Sequence, residues 1–140
     1  MTVELFDVLN APEIPQDGRK QILFNSERYQ VWIHGEWPGN ETANHMHKHT
    51  ADEMFYCLRG ACIFHLPDGS KKELTPGKMV VIPKGDLYRI ENTGGGYLAL
   101  LGTRAESDGM KRWDAEGKVA ESDTREGRQV AASAPRLDGR

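Results

Sequence analysis

Short apolar runs separated by glycine and proline constrain the fold of this chain more than any other feature of its sequence. From residue 53 to residue 101, runs rich in β-branched and aromatic side chains alternate with turn sequences such as Pro67-Asp-Gly-Ser70 and Pro83-Lys-Gly85. Proline and glycine in these positions favour tight turns, and the runs between them have the composition of strands. The pattern predicts an all-β sandwich or barrel.

We predict three segments in the chain of 140 residues. Residues 1–20 form an N-terminal segment, either a short helix or an edge strand, which ends where prolines and a glycine break the chain. Residues 21–103 form the β domain. Residues 104–140 hold few large apolar side chains among many charges, so we expect a polar C-terminal extension or tail, partly mobile, that cannot fold alone. The predicted strands cover residues 21–24, 28–37, the histidine stretch up to His49, a run that Glu53 opens, 61–66, 71–74, 79–82, 87–92 and 97–101.

Bulk composition excludes several classes of partner and location. The net charge of −3 does not suggest nucleic-acid binding, and no apolar run approaches the length that crosses a bilayer. The N-terminus lacks the features of a signal peptide, so we expect a cytoplasmic protein without a membrane partner. We interpret Cys57 and Cys62 as free thiols, which agrees with a reducing compartment.

A dense group of histidines is the strongest chemical signal in the sequence. His45, His47 and His49 stand at alternate positions, and Glu53 follows four residues later. On an extended chain, alternate residues point to the same face, so two of these imidazoles lie close enough to share one metal ion. The plain alternative is an exposed polar strand that carries its histidines by chance.

Two motifs in the chain resemble those of the cupin superfamily. The first motif is matched by His47-Lys-His49, Glu53 and Gly60. Gly39 is displaced by two positions if His47 starts the histidine pair, and it has the family spacing if His45 does. The second motif is matched by Gly77, Pro83, Gly85 and Asn92, while Tyr88 takes the position of its histidine. The resemblance covers roughly residues 28 to 102.

The resemblance implies a double-stranded β-helix (jelly-roll) barrel with a metal ion in its mouth. By position, His47, His49 and Glu53 carry over as ligands of one divalent transition metal: iron, manganese, nickel or zinc. The fourth ligand does not carry over because Tyr88 replaces it. Tyr88 could bind the metal as a phenolate, act as a hydrogen-bond donor or general acid, or pack as a core residue. His45 takes an auxiliary role near the substrate, because three alternate residues span too great a distance to reach one ion.

Three further residues are weaker candidates for a substrate pocket. Phe55, Cys57 and Arg59 share the parity of Glu53 on the predicted strand and could point into the barrel. Arg59 would then bind a carboxylate substrate, although an arginine at a strand end is more often solvated. Cys57 fits a small buried core residue better than a nucleophile.

The function that we predict is a metal-dependent cupin enzyme acting on a small polar, oxygen-bearing metabolite. The metal would serve as a Lewis acid or as an O2-activating centre, in dioxygenase, lyase or isomerase chemistry. One alternative is a non-catalytic cupin that binds or senses a small molecule. A second is a metal-free, epimerase-like cupin with Tyr88 and either His47 or His49 as the proton-transfer pair. We also expect a homodimer, because a barrel of this size has a marginal core.

Overall fold

The computed structural model describes residues 3–16, 18–38, 46–105, 114–116 and 118, and this part of the chain is all-β. Buried and more exposed side chains alternate along β4 and through much of β3, and most turns after residue 53 fall where the sequence holds glycine or proline. The all-β prediction is confirmed. The strands are β1 Lys20–Asn25, β2 Gln30–Glu36, β3 Glu53–Arg59, β4 Cys62–His65, β5 Lys71–Leu74, β6 Met79–Ile82, β7 Arg89–Asn92 and β8 Leu98–Arg104.

The strands form two antiparallel sheets that enclose one apolar core. A five-stranded sheet has the order β1-β2-β8-β3-β6, and a three-stranded sheet has the order β5-β4-β7. Because side chains alternate along a strand, every second residue faces the interior. The buried core residues are Trp32, Phe55, Cys57, Cys62, Phe64, Leu74, Ile82, Tyr88, Leu98 and Leu100.

The N-terminal segment covers the outer face of the larger sheet without joining it as a strand. The Ile14 backbone N–H donates to the Tyr97 hydroxyl at 3.0 Å, and the Trp37 indole donates to the Ile14 carbonyl at 2.8 Å. Ile14 packs there with Ile33 and other outward-facing residues in a second buried cluster. Within residues 3–16 the structure has no helix and no strand, only a single bridge residue at Phe6, so the predicted helix or edge strand is not formed there. Packing and hydrogen bonds that involve the Trp37 and Tyr97 side chains help to hold this segment.

Two predicted boundaries differ from the structure. Strand β8 continues to Arg104, one residue past the predicted end of the β domain, because Arg104 pairs with both Gln30 and Glu53. The predicted strand at the histidines is only an isolated bridge within residues 46–49, where His47 pairs with Tyr88. Most of the predicted C-terminal extension lies outside the described residues.

Candidate functional site

The candidate site is built where strand β3 begins and strand β8 ends. Glu53, the first residue of β3, and Arg104, the last residue of β8, are paired across the sheet. Both side chains are buried, at 1% and 4% exposed. Leu98, Leu100 and Arg104 have the same parity on β8, and all three are buried. Two opposite charges therefore meet at one end of the barrel interior.

The Glu53 carboxylate is hydrogen-bonded through both of its oxygens. The Tyr88 hydroxyl donates to Oε1 at 2.9 Å. Arg104 donates to Oε2 from Nε at 3.0 Å and from Nη2 at 2.9 Å. A buried carboxylate is stable only when donors and an opposite charge replace the water that it has lost. Tyr88 and Arg104 together supply both, which explains why Glu53 can be buried at this position.

The two histidines complete the cluster. Backbone hydrogen bonds of 3.0 Å in both directions join His47 to Tyr88. The His47 ring lies 4.6 Å from the Tyr88 ring and 5.3 Å from the His49 ring, between centroids. His49 is buried, whereas His47 is partly exposed. The four motif positions therefore converge, and His47 links them to solvent.

Arg104 also approaches the imidazole of His49. Its Nη2 lies 3.5 Å from His49 Nε2, a long contact for a hydrogen bond. A guanidinium can only donate, so the facing ring nitrogen is the one that accepts. The Nε2 atom of His49 therefore faces Arg104. We name His47, His49, Glu53, Tyr88 and Arg104 the barrel cluster.

Cupins commonly bind a metal ion, and the barrel cluster has suitable ligand types in imidazole and carboxylate. Its arrangement does not fit one, because Glu53 is bonded by Arg104 and Tyr88 through both oxygens. A divalent ion about 4 Å from the guanidinium would be repelled by about 8 kcal/mol at an effective dielectric constant of about 20. Among the described residues, no three His, Cys, Asp or Glu side chains form a metal-binding group. The predicted ligand set of His47, His49 and Glu53 stays a prediction.

The weaker pocket candidates lie in different places. Phe55 is buried with its ring centroid 6.2 Å from that of Tyr88, so it forms part of the apolar wall behind the cluster. Cys57 is fully buried in the core, and burial raises the pKa of its thiol. Arg59 does not point into the barrel, so the weaker interpretation as an inward anion clamp is wrong, and the favoured one, a solvated arginine at a strand end, agrees with its half-exposed side chain. A bulge between Cys57 and Arg59 shifts the register, and Arg59 pairs instead with Glu13 at 2.8 Å.

The other three histidines lie either away from the barrel cluster or outside the described residues. His45 lies outside the described residues, so its predicted auxiliary role stays a prediction. His34 and His65 are hydrogen-bonded to Glu36 at 2.9 Å and to Glu91 at 2.7 Å. Neither residue contacts the barrel cluster among the hydrogen bonds and ring contacts of the described residues.

Arg104 is the one member of the cluster that the sequence interpretation does not include, because residue 104 falls in the predicted polar extension. A signal was present in the sequence. Arg104 continues the every-second-residue pattern of the last core strand from Leu98 and Leu100, so its parity predicts an inward side chain. The sequence therefore contains a signal for an inward-facing arginine at position 104.

An open groove lies on the outer face of the larger sheet, at the end where β3 begins and β8 ends. Its volume is about 440 Å³, and Glu53 and Arg104 contribute to its lining together with Tyr29, Val31, Asp52, Met54, Thr103 and Ala105. The lining is mostly apolar and comes from the ends of β2, β3 and β8.

Comparisons with known proteins agree with this architecture. A family model described as the cupin domain matches residues 34–102. Auxin-binding protein T85 of Nicotiana tabacum is 27% identical over 107 residues, which cover 62% of this chain and 56% of that protein. The chain thus spans about half the length of the curated relatives that it matches.

Solved structures share the fold. An uncharacterised Klebsiella pneumoniae protein with a double-stranded β-helix domain superimposes with a TM-score of 0.64 at 18% identity, covering 86% of this chain and 100% of that one. An RmlC-like cupin from Methanocaldococcus jannaschii gives 0.59 at 17% identity, covering 76% and 91%. The predicted double-stranded β-helix is confirmed. Within the described residues, no helix is long and apolar enough to cross a membrane.

Proposed function

We propose that this chain, a member of the cupin superfamily, binds a small polar, oxygen-bearing molecule at the barrel cluster. There it moves protons between atoms of the bound molecule. The observation that best supports this function is the 2.9 Å hydrogen bond from the Tyr88 hydroxyl to Glu53. A hydroxyl that donates to a carboxylate keeps lone pairs with which it can accept a hydrogen bond. Tyr88 can therefore link a hydroxyl group of the bound molecule to the Glu53 carboxylate.

The chemistry that we propose is isomerisation of an α-hydroxy carbonyl compound without redox change. The substrate O–H bond breaks as its proton passes to Tyr88, and Tyr88 passes its own proton to Glu53. Glu53 returns a proton through Tyr88 to the substrate carbonyl oxygen, which becomes the new hydroxyl, so Glu53 and Tyr88 regain their starting states. His47 lies beside Tyr88 and is partly exposed. It accepts the proton from the carbon that carries the hydroxyl group and returns it to the carbonyl carbon. Atoms and electrons balance without a co-reactant. Arg104 stabilises the negative charge of Glu53 between cycles.

Metal-dependent chemistry, whether dioxygenase or lyase, is less well supported by the contacts. It would require the Glu53 carboxylate to exchange Arg104 for the metal, although Arg104 is buried beside it. Acid–base chemistry uses the hydrogen bonds as they stand. We therefore propose the metal-free branch of the three predicted functions as the leading one.

Deuterium exchange tests this function. Dihydroxyacetone and related small α-hydroxy ketones are incubated with the protein in D2O, and loss of the C–H signal is followed by NMR. We expect catalysed exchange in the wild type and a fall of about 100-fold or more in Tyr88→Phe, since general acid–base groups contribute at least that much. Tyr56→Phe is the matched control, because Tyr56 packs against the second buried cluster, around Ile14 and Ile33, and not against the barrel cluster.

Two results would contradict the proposal. Equal exchange rates in Tyr88→Phe and in the wild type would remove Tyr88 from the proton path. Wild-type exchange no faster than in buffer, across the whole set of α-hydroxy ketones, would exclude the proposed reaction class.

A second candidate function is binding without catalysis. The observation that favours it is that the two curated relatives are both named as auxin-binding proteins. Isothermal titration with an auxin and with the same hydroxy ketones measures it directly. Binding without any deuterium exchange would support this candidate, and no binding of either probe would count against it.

We also propose a cytoplasmic location, which follows from the state of the cysteines. Cys57 and Cys62 are both buried free thiols. Free thiols are the usual state in a reducing compartment, whereas oxidising compartments favour disulfides. Fractionation of cells that express the full chain would test the location.

A further inference from the structure

We propose that the Arg104 guanidinium takes the place of the metal ion that the cupin resemblance implies. The guanidinium fills the place between Glu53 and His49 where a divalent ion would bind, so the wild-type chain takes no divalent metal there. Removal of the guanidinium should then create a metal site. This inference goes beyond the proposed function, because it holds whichever molecule the cluster binds.

The contacts of Arg104 are those that a resident cation would make. Its Nη2 lies 2.9 Å from Glu53 Oε2 and 3.5 Å from His49 Nε2. One nitrogen of a fixed positive charge therefore bridges two of the three predicted metal ligands. The third, His47, lies within 5.3 Å of His49 between ring centroids. The guanidinium and a metal ion cannot share this position.

The surrounding structure holds the guanidinium in place. Arg104 pairs along the backbone with Gln30 and Glu53, and its Cζ lies 4.9 Å from the Trp32 ring. The Trp32 ring in turn lies over Gly102, where a Cβ would meet it at 2.5 Å. The missing side chain at 102 thus makes space for the ring that supports Arg104. A cation fixed by strand pairing and by an aromatic face is not readily displaced by an ion from solvent.

Charge explains what the loss of Arg104 would do. Without the guanidinium, a buried carboxylate would be left beside two imidazoles and without its counter-ion. That set matches the ligands of open zinc and cobalt sites in proteins. A divalent ion would restore the missing positive charge, and the resulting three-ligand site should bind it in the variant alone.

Cobalt titration of the untagged full chain tests the inference. Co²⁺ is added to the wild type, to Arg104→Met and to Arg59→Met, and visible absorbance and calorimetry are recorded. Arg59→Met is the matched control, because Arg59 is half-exposed and paired with Glu13 outside the barrel. We expect one Co²⁺ per chain in Arg104→Met, bound about 100-fold more tightly than in the wild type or the control. Adding Glu53→Gln to Arg104→Met should abolish that binding.

The other outcomes are also decisive. Wild-type binding of one Co²⁺ that Glu53→Gln abolishes would overturn the inference and support the predicted ligand set. Binding that Glu53→Gln leaves unchanged lies elsewhere and agrees with the inference. A folded Arg104→Met that binds no Co²⁺ would overturn it. If this variant is unfolded, Zn²⁺ should restore its folded circular dichroism, and failure to do so would count equally against the inference. Because no organic ligand is added, this test is separate from the deuterium-exchange test.

Discussion

The residues of the barrel cluster contribute unequally to the stability of the buried Glu53 carboxylate. Tyr88 supplies one neutral donor to Glu53, whereas Arg104 supplies two donors and the opposing charge. Removing a neutral donor costs one hydrogen bond, but removing the charged partner leaves a buried ion without compensation. The two residues share one acceptor and still make very different contributions to stability.

Urea unfolding should separate these contributions. We expect Tyr88→Phe to lower the free energy of unfolding by about 1 kcal/mol. We expect Arg104→Met in metal-free buffer to lower it by about 3–5 kcal/mol. Equal losses in the two variants would mean that Glu53 does not depend on the charge of Arg104.

The reactivity of the two cysteines provides a second check at this scale. Burial raises the pKa of the Cys57 thiol and raises that of Cys62 to about 12. A raised pKa keeps the thiol protonated at pH 8, and only the thiolate reacts quickly with disulfide reagents. We expect no rapid labelling of the native protein by Ellman's reagent and two labelled thiols per chain in denaturant. Rapid native labelling at pH 8 would contradict the described burial.

At the scale of elements, the sequence predicts strands better than the direction of individual side chains. Alternation and turn residues located the core strands because both act within a few residues. The bulge after Cys57 depends on pairing with β8, so nothing local in β3 shows that Arg59 leaves the barrel. The N-terminal segment differs from its predicted structure for a similar reason, because its contacts are with Trp37 and Tyr97, which are distant in sequence. The motif residues His47, His49, Glu53 and Tyr88 were found through spacing, whereas Arg104 depends on sheet register.

Two turn glycines allow a matched test of the β3–β4 connection. Gly60 and Gly69 have φ values of 81° and 86°, in the left-handed region that costs other residues about 1–2 kcal/mol. A Cβ at Gly60 would lie 2.6 Å from the Tyr97 carbonyl oxygen, whereas one at Gly69 would meet nothing within 4 Å. We expect Gly60→Ala to destabilise the protein by about 2 kcal/mol more than Gly69→Ala does. Thermal melting with equal shifts would show that the close approach is absent.

At the scale of the whole molecule, the exposed edge of the larger sheet supports the homodimer that we propose. Strand β6 is at one edge, and its Met79 and Val81 side chains are 59% and 60% exposed. Apolar side chains on an unpaired edge are a common basis for strand pairing between chains.

Light scattering should therefore give twice the chain mass for the wild type. The double variant Met79→Lys/Val81→Lys should be monomeric, and Glu73→Lys on the exposed part of β5 should remain dimeric. A monomeric wild type would contradict the proposal.

The position of β8 also determines when the sheet can form during synthesis. Although it is the last strand among the described residues, β8 lies between β2 and β3 in the five-stranded sheet. Until residues 98–104 leave the ribosome, the growing chain can make only two separate pairs of this sheet, β1 with β2 and β3 with β6. Such late pairing between distant segments slows folding and leaves strand edges open to other chains. The same strand then brings the Arg104 charge to Glu53 as its final residue, so closure of the sheet and neutralisation of the buried acid are a single event.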